Sequence, residues 1–251
     1  MEGIATLRTA LLHDFGRHVQ PRSFEVPPRL FETEERRGAN ERVPNDAGVE
    51  AAFEFLVGLS NAARSDFEAH WRGFPVDLAD NPTALQLTRA LQIFVTARQD
   101  SLEYADLAVR AAADVIGQWH ENHGSQQGLF GVPSSGAVWA DATTAAGFCE
   151  ISRIFFGRLT ERYLRYFLER EASAALPSIE ARDAFDRALG EHANSVSRHA
   201  FESAKIMQSF AAGWFEKNAR GRKPTRSEVR QFLRKAFAKM RDELAREPVS
   251  A

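Results

Sequence analysis

The chain has 251 residues, of which 44% are apolar and 26% charged. That composition excludes a fibrous or disordered chain and allows one large domain or two small ones. No apolar run approaches the roughly eighteen residues of a membrane span, Glu2 breaks the pattern of a signal peptide, and the single Cys149 excludes an intramolecular disulfide; with a net charge of −2, this predicts a soluble, cytoplasmic protein.

Ile4, Leu7, Leu11, Phe15 and Val19 recur at helical spacing and predict a short amphipathic helix. The stretch that follows holds Pro21, Pro27, Pro28 and Pro44 amid mixed charge, so it reads as an arm or linker docked through Phe24, Val26, Leu30 and Phe31. Val49, Ala52, Phe53, Leu56, Leu59, Ala63, Phe67 and Trp71 share one face of a helix from Ala47 to Arg72, closed by Gly73 and Pro75. Asn81 as N-cap and Pro82 at the first helical position open the next helix, which runs to about Ala97. Asp100 to Glu103 reads as another capping box, leaving either one kinked helix to about Asn122 or two helices, ended by Gly124.

The glycine-rich stretch from Gly124 to Gly136 matches neither common phosphate-binding pattern, and no strand precedes it. It reads as a connection between helix pairs. A long helix is predicted from Val138 to Ala174, ended by Pro177, and a second from Ile179 to about Asn218, capped by Ser178. So short a turn forces an antiparallel hairpin. Centred near Leu176, it pairs Val138 with Trp214, Ala142 with Phe210, Ala145 with Met207, Phe156 with Val196, Tyr163 with Leu189 and Phe167 with Phe185. The apolar spacing on the second arm is that of a coiled-coil-like seam.

Chemistry-bearing constellations are few. No Glu is followed by His at i+3, as a carboxylate di-iron bundle requires. His120 and His123 flank Glu121, but no third or fourth metal ligand can be named. The hairpin register brings Cys149 and His199 within a turn of each other, with His192 on the same seam. As nucleophile and base they would need partners the sequence does not offer. They read instead as a small buried thiol and seam histidines bonded to Glu150 or Ser203. Arg153, Arg158, Arg162, Arg165 and Arg170 alternate with Phe155, Phe156, Tyr163, Tyr166 and Phe167. This is a core stripe flanked by Arg stems or, alternatively, a surface for single-stranded nucleic acid. No catalytic residue, metal ligand or cofactor is predicted.

From Lys217 to Arg241 the chain places ten Lys or Arg against one acid, Glu228, for a net +9. The remaining 22 basic and 33 acidic residues leave −11. This basic segment either docks on the acidic body or steers an anionic partner. Thr225 to Glu228 forms a capping box, preceded by a basic hinge at Arg220 to Lys223. Val229, Phe232, Leu233, Ala236, Phe237, Met240 and Leu244 make a continuous apolar face, and Arg226, Arg230, Arg234, Lys235, Lys239 and Arg241 fill the rest. The apolar face requires a burial partner: the bundle, another protein or a lipid-like surface.

The fold class is therefore all-α: a bundle of four or more long helices that includes a long antiparallel hairpin, with a basic amphipathic C-terminal helix. Residues 1–46 form a helix and arm, 47–218 the bundle, and 219–251 the basic helix. The hairpin from about Ser152 to Asn218, through "FGRLTERYLRYFLEREASAAL" and "FDRALGEHANSVSRHAFESAKIMQSFAAGWFEK", resembles the helical phasins that coat polyhydroxyalkanoate granules in bacteria. That resemblance implies a non-catalytic protein on a hydrophobic granule surface and carries no residue roles. The expected function is a non-catalytic helical interaction protein that binds a partner protein, a granule-like surface or a second copy of itself. Its contact residues are Phe232, Leu233, Phe237, Met240, Arg226, Arg230, Arg234 and Lys235. The alternatives are a nucleic-acid-associated protein using residues 217–241 and, further off, an enzyme around Cys149 and His199.

Overall fold

A computed structural model describes residues 42–62, 78, 82–98, 104–124, 138–175, 178–202 and 205–244. The expected N-terminal helix and most of its arm, the stretch to Arg72 beyond Ala62, the Asp100 capping box and the glycine-rich segment after Gly124 lie outside these residues. The described part is all-α, its helices packed on one another. They are α1 (Ala47–Ala62), α2 (Ala84–Thr96), α3 (Ala105–Gly124), α4 (Ala145–Ala175), α5 (Ile179–Glu202), α6 (Lys205–Asn218) and α7 (Arg226–Leu244). Two short 3-10 helices, Val43–Asn45 and Asp141–Thr143, precede α1 and α4.

Local sequence sets most of the helix ends. At α2 the N-cap is Thr83, not Asn81. Its Oγ1 accepts from Gln86 N, and the Gln86 side chain accepts from Thr83 N, so two end donors are satisfied reciprocally. Ser178 caps α5 by accepting from Ala181 N, as its position after Pro177 predicted. The long helix expected from Val138 begins only at α4, because Thr144 is extended and its Oγ1 accepts from Gly147 N. Gly147 has no room for a side chain, since a Cβ there would overlap the Asp141 carbonyl.

The α4 and α5 arms pack along each other as the predicted hairpin. Ser197 Oγ donates to the Arg153 carbonyl at 2.5 Å, Gly157 faces Ser197, Gly190 faces Glu161, and Arg165 Nε lies 3.7 Å from Asp186. These partners follow the expected register. At the other end it fails. The second arm is described as α5 and α6, on either side of residues 203–204, which lie outside the described residues. Phe148 stacks on Phe215 at 4.6 Å and on Trp214 at 5.7 Å, where a continuous helix would have brought Ala204. The offset is about three turns of helix. The physical reason is aromatic: shifting α6 brings Phe210, Trp214 and Phe215 into a ring cluster that a straight arm would miss.

One core runs from Val43 to Met240. At its centre is α1, buried nearly all round rather than on one face, as befits a helix with few polar residues. It packs on α2, α3, α4 and α7. A Cβ at Gly48 would overlap Ala105, which explains a glycine at the α1–α3 crossing. No described helix is long and apolar enough to cross a membrane.

Candidate interaction surface

The α7 helix starts as its sequence dictates. Glu228 Oε2 accepts from Thr225 N at 2.8 Å, and Thr225 Oγ1 accepts from Glu228 N at 3.3 Å. Arg222, reaching across the hinge at 2.7 Å, holds the Glu228 carboxyl down at about 2, aided by the Thr225 backbone N–H. Gly221, at φ 71, makes the left-handed turn that frees the chain from α6. Asn61 on α1 ties the turn down, accepting from Gly221 N and donating to the Arg222 carbonyl.

The apolar face of α7 turns inward. Phe232 is 1% exposed and lies between the rings of Phe53 and Phe210, at 5.1 and 5.2 Å and nearly parallel to both. Trp214 tilts against it at 4.7 Å. Leu233 and Met240 are buried, and Phe237 meets Phe156 edge-on at 5.2 Å. Phe232, Leu233, Phe237 and Met240, expected as partner contacts, are thus contacts within the chain. Their burial partner is the bundle, because α1, α4 and α6 supply an aromatic wall that completes the core.

The basic residues divide into two sets. Arg226 and Arg230 turn to α1, where Arg230 donates through Nε and Nη2 to Glu50 Oε2 at 3.1 and 2.8 Å. Arg226 Nε approaches Glu50 Oε1 at 3.4 Å, too far for a well-formed hydrogen bond. One turn on, Glu54 takes Lys223 Nζ at 3.4 Å and Arg98 Nη2 at 2.5 Å. Both carboxylates are buried, 3% and 5% exposed, so four cations from three parts of the chain compensate two charges that α1 could not otherwise bury. Arg220 pairs with Glu216 and Arg241 with Asp242. The hinge and first turn of the basic segment therefore dock on the acidic body.

The second set is Arg234, Lys235 and Lys239, all exposed. Arg234 donates through Nε and Nη2 to the neutral Asn45 Oδ1, at 2.9 and 2.8 Å. Lys235 Nζ lies over the Phe210 ring at 5.3 Å. Among the described residues no carboxylate pairs with any of the three. Around them the outer face of α7 presents Ser227, Gln231, Arg241 and Asp242, with no exposed apolar side chain among the described residues.

No family model, curated protein or solved structure matches this chain.

The remaining candidates are spread through the fold. Cys149 is buried, which pushes its thiol up, and a hydrogen bond with the backbone of Ala212 opposes this only in part. Through Ala212 it faces α6. The side chain of His199 lies outside the described residues. His192 Nε2 and His120 Nε2 are buried without a hydrogen-bond partner, and burial lowers both imidazoles. His123 stacks on Trp119 at 3.9 Å, with Nε2 3.9 Å from Asp141. Reasoning from sequence missed Asn45, Glu50 and Glu54 as partners of the basic helix. The available signal was two acids one turn apart inside an otherwise apolar run, "VEAAFEFL".

Proposed function

We propose that this chain is a helical interaction protein that docks an anionic partner on the outer face of α7. The observation that carries this reading is the division of the basic segment: Glu50 and Glu54 absorb the hinge cations, while Arg234, Lys235 and Lys239 face solvent with no carboxylate opposite. The apolar face of α7 is spent on the core, so contact here is electrostatic and not the hydrophobic contact a granule surface would need. A charged patch of this kind steers an oppositely charged partner even when the whole molecule is near neutral.

The test is retention of the full chain on a sulfated polysaccharide matrix. Wild-type protein should bind at about 20 mM salt and elute as added salt screens the charge. The combined Arg234→Gln, Lys235→Gln and Lys239→Gln variant should elute much earlier with an unchanged circular dichroism melt. Wild-type protein that passes through unretained would overturn the proposal.

A further inference from the structure

We infer that the partner seated on this stripe is the phosphate backbone of a nucleic-acid duplex. The inference rests on the anionic-partner reading and names its occupant. Four classes of polyanion could use three exposed cations, and the surroundings of Arg234, Lys235 and Lys239 separate them.

An anionic lipid surface requires apolar side chains that enter the headgroup boundary. Those of α7 are in the core: Phe232, Leu233 and Met240 are at most 2% exposed. An acidic protein surface gains most of its affinity from buried aromatic or aliphatic anchors ringed by polar contacts. Among the described residues the outer face of α7 offers none; the exposed ones there are Ser227, Gln231, Arg234, Lys235, Lys239, Arg241 and Asp242. A single strand calls for rings on which bases stack. The nearest ring, Phe210, is half-buried, stacked on Phe232 and covered by the Lys235 ammonium. A duplex backbone needs only what is present: cations, plus hydroxyl and amide groups that bond phosphate and sugar oxygens.

The geometry suits that occupant. Arg234, Lys235 and Lys239 fall within a rise of about 7.5 Å along the helix, so their long side chains can reach more than one phosphate, spaced about 3.4 Å per strand along the duplex axis. The Arg234 guanidinium is held by Asn45 before any partner arrives. Two of its N–H groups are engaged and the others remain for a phosphate oxygen. Lys235 is likewise held on a ring face, so less side-chain freedom is lost on binding. Such contacts carry no base information, so binding is independent of sequence.

The experiment is fluorescence anisotropy of the full chain with a short labelled DNA duplex, the matching single strand and labelled polyglutamate. The salt series runs from about 50 to about 200 mM. Duplex binding should weaken with a log–log slope of about −2 to −3, a loss on the order of 16- to 64-fold over that range, as for roughly three phosphates neutralised. The Arg234→Gln, Lys235→Gln, Lys239→Gln variant should lose at least about tenfold in duplex affinity. A charge-matched control, Arg89→Gln, Arg110→Gln, Arg187→Gln on α2, α3 and α5, should stay close to wild type. Polyglutamate bound in preference to the duplex would overturn the inference and leave the anionic-partner reading standing. Tighter binding of the single strand would overturn the duplex assignment. Equal losses in the two variants would overturn the site, and no binding to any probe would overturn both readings.

Discussion

Near Ser178, α4 and α5 meet through Leu164, Phe185, Leu189 and Ala193, which are buried but stand apart from the main core. Their flanks carry exposed or half-exposed ion pairs such as Arg165–Asp186 and Arg158–Glu161. Near Phe148 the same hairpin opens into a ring cluster drawn from four helices: Phe53 on α1, Phe148 and Phe156 on α4, Phe210 and Trp214 on α6, and Phe232 on α7. One end is a two-helix seam with local partners; the other is a multi-helix core. The difference teaches where this fold stores its stability. The seam alone buries little, whereas each ring at the open end touches several helices at once.

The largest expected effect comes from truncating a side chain at each end. Phe232→Ala should cost about 3–5 kcal/mol, because its ring space cannot collapse between Phe53 and Phe210. Leu189→Ala should cost about 2–3 kcal/mol, since its site lies on the α4–α5 seam outside the ring cluster. Urea midpoints of the two variants check this, and equal losses would erase the contrast. An intermediate effect is expected at the charged contacts. Glu50→Gln should cost about 1–2 kcal/mol, discounted for the half-exposed Arg226 and Arg230, whereas Asp186→Asn at the seam should stay within about 0.5 kcal/mol. The same denaturation experiment, repeated at high salt, should narrow the Glu50→Gln loss only slightly, because its carboxylate is shielded from ions.

The smallest effect is the pH response of the two half-buried imidazoles, His192 at the seam and His120 beside Trp139. Burial lowers both below the ordinary value, so the unfolded chain binds protons first as pH falls. Their contribution to stability is complete above about pH 6.5 and declines below it. Stability measured between about pH 7.5 and about pH 5.5 should therefore fall on acidification, and His192→Gln should flatten that slope. A steeper slope in the variant would contradict the half-buried, neutral imidazole.

Reading along the chain found the all-α class, the hairpin turn at Ser178, the Thr225 capping box and the continuous apolar face of α7, but not what covers that face. Each of these rests on residues within a few turns of one another. The Thr83 cap was also present as a Thr-x-x-Gln pattern, but Asn81–Pro82 offered a competing start two residues earlier. The displacement of α6 from the line of α5 was not legible, because "FESAKIM" contains neither proline nor glycine. The gain is made by rings along α6.

The partners of the basic helix show the same limit. Asn45, Glu50 and Glu54 lie far from α7 in sequence, and neither acid is among the apolar positions that periodicity marks on α1. By itself the sequence determined which segments are helical, how most of them are capped and that the basic segment must bury an apolar face. Those outcomes follow from backbone hydrogen bonding and side-chain spacing within one helix. Only the tertiary structure decided what covers that face and which cations remain outside. Both depend on how α1, α4, α6 and α7 share one aromatic core, a choice made by packing between distant residues.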